Sequence, residues 1–212
     1  QTGLWSKYNP LELATPQAFQ RNPQLVWQWY TWRRKLVSQA IPNPAHEALA
    51  ELQYLVPHFT LITQNVDGLH EAAGCQAPLE LHGNIMRSKC SKEGDIVESW
   101  EDEEYIPPKC PNCGANLRPD VVWFGETLPP EVLQHAAQMA QLSQVFFSIG
   151  TSSLIEPAAS LPLLALQTDS ILIEINPDTT PITPRAHYAL QGPAGEVLPA
   201  LVEAIWDDYS GS

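Results

Sequence analysis

Two patterns of apolar and polar positions alternate along the chain. Apolar residues recur at helical spacing and predict helices over residues 44–55, 131–142, 156–166 and 195–206 and a helical segment over 11–37. A capping residue followed by proline predicts helix starts at Thr15-Pro16, Asn22-Pro23 and Asn43-Pro44. Short, nearly continuous apolar runs predict strands over residues 59–63, 145–149 and 171–175. Because apolar strands that alternate with helices are typical of parallel sheets covered on both faces, we expect an α/β fold with a doubly wound, Rossmann-like parallel sheet.

The alternation stops between Cys90 and Cys113, where hydrophobic periodicity fades and acidic residues crowd between Glu93 and Glu104. This segment predicts a small insertion held by something other than a hydrophobic core. We expect a single functional domain over residues 1–212 that has two parts. The Rossmann-like part takes about 41–88 and 118–212, and a small second domain takes about 10–40 and 89–117.

The composition narrows the classes of partner. Lys and Arg total 11 against 24 Asp and Glu, and the net charge of -13 repels phosphate backbones, so we expect no nucleic-acid partner. No apolar run approaches the roughly 20 residues that a membrane-spanning helix needs, and no signal-peptide pattern opens the sequence. We therefore expect a cytoplasmic protein with no membrane partner, in which the four cysteines are ligands or buried thiols rather than disulfides.

Polar or glycine-containing clusters follow each of the predicted strands. They are Gln64-Asn65, Gly150-Thr151-Ser152 and Asn176. Ligands of doubly wound sheets bind beyond the carboxyl ends of the strands. The clusters therefore predict a site for a ligand the size of a nucleotide.

Two motifs carry the candidate chemistry. In TQNVDGLH, residues 63–70, two amides, a carboxylate and an imidazole follow a strand, and such groups can grip a ribose and a carboxamide. The alternative is a polar turn that caps the next helix. In LELHGN, residues 79–84, His82 precedes Gly83, which leaves the imidazole reachable from solvent, as a general base near neutral pH requires.

These motifs, together with VVWFGE at residues 121–126 and GTSS at residues 150–153, resemble the sirtuin family in order and spacing over essentially the whole chain. The resemblance implies a monomeric, NAD-dependent protein-lysine deacylase that acts on acyl-lysine proteins or peptides. It implies that His82 is the catalytic base, which takes a proton from the ribose hydroxyls. The products would be nicotinamide, free lysine and an O-acyl-ADP-ribose.

The resemblance also implies which residues bind the two substrates. The acyl-lysine peptide would pair by strand addition with Val121, Val122, Trp123 and Phe124. NAD, consumed as a co-substrate, would contact Trp5, Gln64, Asn65, Val66, Asp67, Gly150, Thr151, Ser152, Asn176, Pro177, Asp178 and Ala194.

A further motif bears on the acyl group. Tyr30 and Arg33 stand three apart on one helix face, and a guanidinium beside a phenol is a good receptor for a carboxylate. The pattern resembles that of sirtuins that remove succinyl and malonyl groups, and Ala14 matches a position where those enzymes keep a small residue. The alternative is an aromatic-rich helix with an ordinary solvated Arg pair.

The cysteines resemble the zinc site of this family only in part. Its pattern, two C-x-x-C pairs in a zinc-ribbon-like domain, is met by Cys110 and Cys113, whereas Cys90 is followed by Glu93 where the second thiolate belongs. Either the three thiols bind zinc with the Glu93 carboxylate as fourth ligand, or the site has decayed.

Sirtuins also open with a strand and a Gly-Ala-Gly-x-Ser turn whose backbone amides receive the pyrophosphate. No such sequence precedes Gln1, so we expect the first strand and phosphate loop to be missing, either because the sequence is a fragment or because a short protein has lost catalysis. Such a chain would be marginally stable and bind NAD poorly. Two further functions stay open: a non-catalytic module that binds NAD or acyl-lysine, and an ADP-ribosyltransferase.

Overall fold

The computed structural model describes residues 9–97, 99–100 and 106–210. They form two compact units. The first comprises residues 9–40, Asn65–Gly68 and the described part of His82–Leu128, and the second comprises Ile41–Gln64, Leu69–Leu81 and residues 129–210. Residues 82–88 and 118–128, which the sequence placed with the Rossmann-like part, join the first unit because the strands at 83–90 and 117–121 pair with each other.

The α-helices of the described residues are α1 (Pro10–Leu13), α2 (Pro16–Arg21), α3 (Pro23–Val37), α4 (Pro44–Leu55), α5 (Leu69–Ala72), α6 (Pro130–Leu142), α7 (Leu161–Leu166) and α8 (Ala194–Ser210). The strands are β1 (Ile62–Thr63), β2 (Leu79–Glu80), β3 (Gly83–Cys90), β4 (Ile96–Val97), β5 (Leu117–Val121), β6 (Val145–Ile149), β7 (Ile171–Asn176) and β8 (Tyr188–Gln191).

In the first unit, helices α1 to α3 each begin at a proline. The residue before each proline, which is Asn9, Thr15 or Asn22, caps the helix. Its side-chain oxygen accepts a hydrogen bond from a backbone N–H of the first turn. The antiparallel sheet has the order β4-β3-β5. Val26 and Tyr30 of α3 are fully buried in one core cluster with Ile85 of β3. This packing places the face of α3 that carries Tyr30 against the strand that follows His82.

The second unit contains the parallel strands. Two sheets form among the described residues, the pair β1-β2 and the sheet β6-β7-β8, and both are parallel. Ile175 of β7 packs in one apolar cluster with Leu49 of α4 and Leu198 of α8. Helix α7 also packs against β6 and β7. The expected α/β fold with parallel strands and covering helices is confirmed, with its parallel strands divided between two hydrogen-bonded sheets.

Several predicted boundaries were wrong. The strand expected over 59–63 is only β1, because its partner β2 offers two residues for pairing. The helix expected over 156–166 is a 3-10 turn, Ala158–Ser160, followed by α7, because Pro162 has no N–H and fits only in the first helical turn. The insertion near Cys90 does have an apolar cluster, which includes Trp27, Val97 and Leu117.

No helix among the described residues has the length and hydropathy that crossing a membrane requires.

Candidate active site

His82 lies where the chain enters β3. Its backbone carbonyl accepts a 2.9 Å hydrogen bond from the N–H of Val122, and its side chain is half-buried. The following residue, Gly83, has a φ of +76°, and a Cβ atom there would lie 2.2 Å from the carbonyl oxygen of Asp120. Only glycine fits this position. The His-Gly pair therefore fixes the backbone of the predicted base against β5.

The loop of Asn65, Val66 and Asp67 belongs to the same unit as His82. The N–H of Ile85 donates to the carbonyl of Val66 at 2.8 Å, so β3 holds this loop. The Asn65 side chain is exposed, and that of Asp67 is half-buried. The structure thus anchors the predicted nicotinamide- and ribose-binding groups to the strand that begins directly after the predicted base.

The segment predicted to pair with the peptide starts at the end of β5. Val121 and Trp123 are buried, Val122 is half-buried and Phe124 is exposed. The N–H of Phe124 donates to the carbonyl of Ala14 at 2.9 Å. This bond joins the predicted peptide segment to the residue predicted to keep the acyl pocket wide.

Sequence reasoning missed an ion pair that organises this segment. The Nη1 and Nη2 atoms of Arg118 donate to the two carboxylate oxygens of Glu126 at 2.5 and 2.8 Å, and Nη2 also donates to the carbonyl of Val121. Glu126 accepts the backbone N–H of Trp123 at 2.8 Å. Burial raises the pKa of Glu126, but the hydrogen bonds from Arg118 and Trp123 outweigh it and hold the pKa below its usual value. Glu126 is the last residue of the VVWFGE motif, and Arg118 lies three residues before the first residue of that motif, Val121. Apolar periodicity gives no sign that the two side chains pair.

The predicted acyl-binding residues come together on α3. The guanidinium carbon of Arg33 lies 4.8 Å from the ring centroid of Trp29 and 5.4 Å from that of Tyr30. Tyr30 is fully buried, and its hydroxyl oxygen accepts a 2.9 Å hydrogen bond from Nε1 of Trp123. Burial raises the pKa of Tyr30, and nearby Arg33 offsets part of that rise, so the phenol is neutral at pH 7.

Arg34 is another residue that sequence reasoning missed. Its Nε donates to the carbonyl of Ile85 at 2.6 Å, and its Nη2 donates to the carbonyl of Arg87 and to Oγ of Ser88 at 2.9 and 3.0 Å. These bonds span the interval of β3 where its register with β5 shifts. Burial lowers the pKa of Arg34 to about 10, so the guanidinium stays charged at neutral pH. The Arg34 side chain therefore holds β3, the strand that begins at Gly83 and bonds to the 65–67 loop through Ile85.

The second unit gathers predicted NAD-contacting residues at the carboxyl ends of its strands. Thr151, just after β6, accepts a hydrogen bond at Oγ1 from Nε2 of Gln64 at 3.3 Å. Its carbonyl accepts another from Nδ2 of Asn176, the last residue of β7, at 2.8 Å. The N–H of Gly150 donates to the carbonyl of Ile175 at 2.9 Å. Residues from each of the three polar clusters predicted to follow the strands, Gln64, Thr151 and Asn176, are therefore hydrogen-bonded to one another.

The other predicted NAD contacts lie near these strand ends. Ser152, Pro177 and Asp178 are exposed. Ala194 is the first residue of α8, which follows β8, and β8 pairs with β7 through Asn176 and Gln191. The N-terminus of a helix suits an anionic ligand. Trp5, the remaining predicted contact, lies outside the described residues.

The three insertion cysteines lie together. The Sγ atoms of Cys90, Cys110 and Cys113 are all within 4.8 Å of one another, and those of Cys90 and Cys113 are 3.4 Å apart. Thiolates bound to one tetrahedral zinc ion at about 2.3 Å lie roughly 3.8 Å apart, so the spacing fits zinc. The backbone N–H of Glu93 donates to Sγ of Cys90 at 3.4 Å, whereas the Glu93 carboxylate is not among the grouped ligand atoms of the described residues and faces Lys92.

The electrostatics of Cys90 suit a thiolate ligand. Burial raises the pKa of this thiol, but backbone N–H groups of Glu93 and Lys92 outweigh it and bring the pKa below its usual value. Zinc binds the thiolate form. Cys90, Cys110 and Cys113 would hold the ion, which would act by tying the insertion together. Cys75 is buried in the second unit and is not among the grouped thiols.

Comparison with known proteins places the chain in a family. The model of the Sir2 family matches residues 1–157. NAD-dependent protein deacylase 1 of Caldanaerobacter subterraneus subsp. tengcongensis is 50% identical over 192 residues, which are 90% of this chain and 79% of that protein. NAD-dependent protein deacylase 1 of Archaeoglobus fulgidus is 50% identical over 205 residues, 96% of this chain and 83% of that protein.

Solved structures agree with these matches. The crystal structure of a Sir2 homologue–NAD complex has a TM-score of 0.89 at 48% identity and covers 98% of this chain and 82% of that one. The structure of Sir2Tm bound to a propionylated peptide has a TM-score of 0.83 at 27% identity and covers 97% of this chain and 87% of that one. This chain belongs to the Sir2 family. The expected family, enzyme class and NAD co-substrate are thereby confirmed.

Proposed function

We propose that this protein removes acyl groups from lysine side chains of proteins at the expense of NAD, and that it prefers the acidic succinyl and malonyl groups to acetyl. The observation that carries the proposal is that His82 and Tyr30 are both hydrogen-bonded to the segment proposed to pair with the peptide. The backbone carbonyl of His82 accepts from the N–H of Val122. Tyr30 is hydrogen-bonded to Trp123 of the same segment.

His82 acts as the general base. The acyl oxygen bonds to C1′ of the nicotinamide ribose as the bond to nicotinamide breaks, and His82 accepts the proton of a ribose hydroxyl. The deprotonated hydroxyl attacks the carbon of the resulting imidate, and a water molecule adds to the same carbon. The bonds from that carbon to the lysine nitrogen and to the C1′ oxygen then break as the amine takes up a proton, which leaves the ester. The products are nicotinamide, free lysine and an O-acyl-ADP-ribose. The rigid attachment of His82 to β5 through Gly83 supports this role, because proton transfer depends on fixed geometry.

The second unit holds the dinucleotide in this proposal. Gln64, Thr151 and Asn176 form a hydrogen-bonded polar cluster at the ends of parallel strands, which is where such sheets bind nucleotides. Ala194 opens a long helix whose first N–H groups suit a phosphate. The Asn65–Asp67 loop supplies the contacts to nicotinamide and its ribose. A Sir2 homologue of similar structure forms an NAD complex, which supports the assignment.

The preference for acidic acyl groups rests on Arg33. No carboxylate or carbonyl of the described residues pairs with this half-buried guanidinium, which stacks on Trp29 and Tyr30 instead. A guanidinium in this state binds a carboxylate through two parallel hydrogen bonds. Ala14, buried beside the same segment, keeps the space that a longer acyl chain needs.

The test compares succinyl-, malonyl- and acetyl-lysine versions of one peptide on the wild type and on Arg33→Met. Losing charged hydrogen bonds lowers kcat/KM for the two acidic groups by roughly ten- to a hundredfold and leaves acetyl nearly unchanged. Arg21→Met, the same substitution on an exposed arginine of α2, is the control and leaves all three rates unchanged. An equal loss on all three peptides contradicts the carboxylate receptor.

A further inference from the structure

The bond between Trp123 and Tyr30 has a fixed direction. An indole N–H can only donate, so the Tyr30 oxygen is the acceptor in this 2.9 Å hydrogen bond. A phenolic O–H lies near the plane of its ring, and the indole N–H occupies one of the two in-plane directions. The Tyr30 proton must therefore point away from Trp123.

Trp123 has little freedom to release this constraint. The guanidinium carbon of Arg118 lies 3.4 Å from the centroid of the indole ring. Glu126, which pairs with Arg118, accepts the backbone N–H of Trp123. A single ion pair thus holds both the ring and the backbone of Trp123. The side chain is only 2% exposed, so neither water nor rotation competes with this arrangement.

The proton of Tyr30 has no acceptor among the described residues. The phenol has no exposed surface either, and a buried donor without an acceptor is costly. Arg33 stacks over the Tyr30 ring and also lacks an acceptor among the described residues. An acyl carboxylate that draws the Arg33 guanidinium away from the ring would uncover the phenol to the same ligand.

We infer that Trp123 is a positioning residue that makes the acyl pocket a donor-only site. It occupies the acceptor side of the Tyr30 hydroxyl, so the two side chains proposed to bind the end of the acyl group present donors only, the N–H groups of Arg33 and the O–H of Tyr30. Such a pocket selects acyl groups whose far end carries oxygen acceptors and no donors. It discriminates between a terminal carboxylate and the terminal amide of the same size, whose NH₂ group would face donors. This inference rests on the proposed deacylase function.

The test uses three versions of one peptide, with acetyl-lysine, succinyl-lysine and the amide analogue of succinyl-lysine, in which the terminal carboxylate is CONH₂. The variant Trp123→Phe keeps an aromatic ring but removes the indole N–H together with the five-membered part of the ring. Freed from the indole, the Tyr30 hydroxyl can turn and accept from the amide. The ratio of kcat/KM for succinyl to that for the amide falls about tenfold, the loss expected for one misdirected hydrogen bond in a buried site.

Two further variants separate hydroxyl direction from general damage. Phe19→Leu alters a second buried ring, which contacts Trp123 at 5.3 Å between centroids, but removes no hydrogen bond to Tyr30, and keeps the wild-type ratio. In a Tyr30→Phe background, Trp123→Phe changes the ratio no further, because the group through which it acts is gone. Circular dichroism and thermal unfolding show whether each variant folds, and only folded variants enter the ratio.

The outcomes distinguish this inference from the proposed function. A wild type that prefers succinyl, with Trp123→Phe keeping the wild-type ratio of succinyl to amide, overturns the inference alone. So does an equal effect of Trp123→Phe with and without the Tyr30 hydroxyl. A wild type that removes acetyl as fast as succinyl overturns the acidic preference and this inference with it.

Discussion

Arg118 and Glu126 form a two-point ion pair inside the first unit, with Nη1–Oε1 and Nη2–Oε2 distances of 2.5 and 2.8 Å. The Arg118 side chain is 10% exposed and that of Glu126 is 25% exposed. Through this pair the backbone of Trp123 and the carbonyl of Val121 share one charged anchor. The geometry of the VVWFGE segment therefore depends on the ionised form of Glu126.

The pair makes stability depend on pH in a defined direction. Because the pKa of folded Glu126 is below its usual value of 4.5, its stabilising contribution is present above that value and is lost as the pH falls through the folded pKa. Glu126→Gln should lower the free energy of unfolding by about 2 kcal/mol at pH 7, with the deficit shrinking below about pH 4. Urea unfolding of the wild type and of Glu126→Gln, in a series from pH 7 downward, measures this deficit.

An exposed glutamate provides the control for that experiment. Glu203→Gln on α8 should change the free energy of unfolding by less than about 0.5 kcal/mol at every pH of the series. A deficit for Glu126→Gln that stays as large as at pH 7, down to the lowest pH at which the wild type is folded, would show that the ion pair is not its source.

Gly83 constrains the backbone next to His82, the predicted base. Gly83→Ala forces a side chain into a φ of +76° and against the Asp120 carbonyl. The matched control is Gly74→Ala, where φ is +103° but no atom lies within 4 Å of the added Cβ. We expect Gly83→Ala to cost at least about 1 kcal/mol more in unfolding free energy than Gly74→Ala, and to lower kcat as well. Equal costs would mean that backbone strain, and not the contact with β5, explains the glycine.

The thiol cluster predicts a structural zinc ion. The purified protein should contain about one zinc per chain by elemental mass spectrometry, and removal by a chelator should lower the unfolding temperature, because binding of the metal favours the folded state. Cys113→Ser should lose most of the zinc. Cys75→Ser, at a thiol in the second unit, should keep it. Zinc that is retained in Cys113→Ser, or absent from the wild type supplied with zinc, would argue against the site.

The sequence predicted those parts of the site that depend on local chemistry. Proline after a capping residue marks helix starts at Pro16, Pro23 and Pro44, and all are found. Polar clusters after apolar strands identified Gln64, Thr151 and Asn176, which do meet. These features are encoded within a few neighbouring residues, so a linear pattern is enough to find them.

The sequence could not predict contacts that depend on how distant segments pack. Arg33 and Arg34 are adjacent and alike in sequence, and both stack on aromatic rings, yet only Arg34 also donates to the β3 backbone. The hydrogen bond from Trp123 to Tyr30 joins residues 93 positions apart, so the sequence gives no sign of the bond or of its direction. One of the two alternatives made the Glu93 carboxylate the fourth zinc ligand. This carboxylate is not grouped with the thiols, and the backbone N–H of Glu93 contacts Cys90 instead.

His82 is proposed as the base of an NAD-dependent lysine deacylase, and mass spectrometry tests this claim. A succinyl-lysine peptide is incubated with the wild type or with His82→Ala, with and without NAD, and the mass of the peptide is recorded. We predict that the wild type makes the peptide lighter by one succinyl group only when NAD is present, and that His82→Ala, folded by circular dichroism, leaves its mass unchanged. A peptide made heavier by ADP-ribose, or a His82→Ala variant as active as the wild type, would contradict the claim.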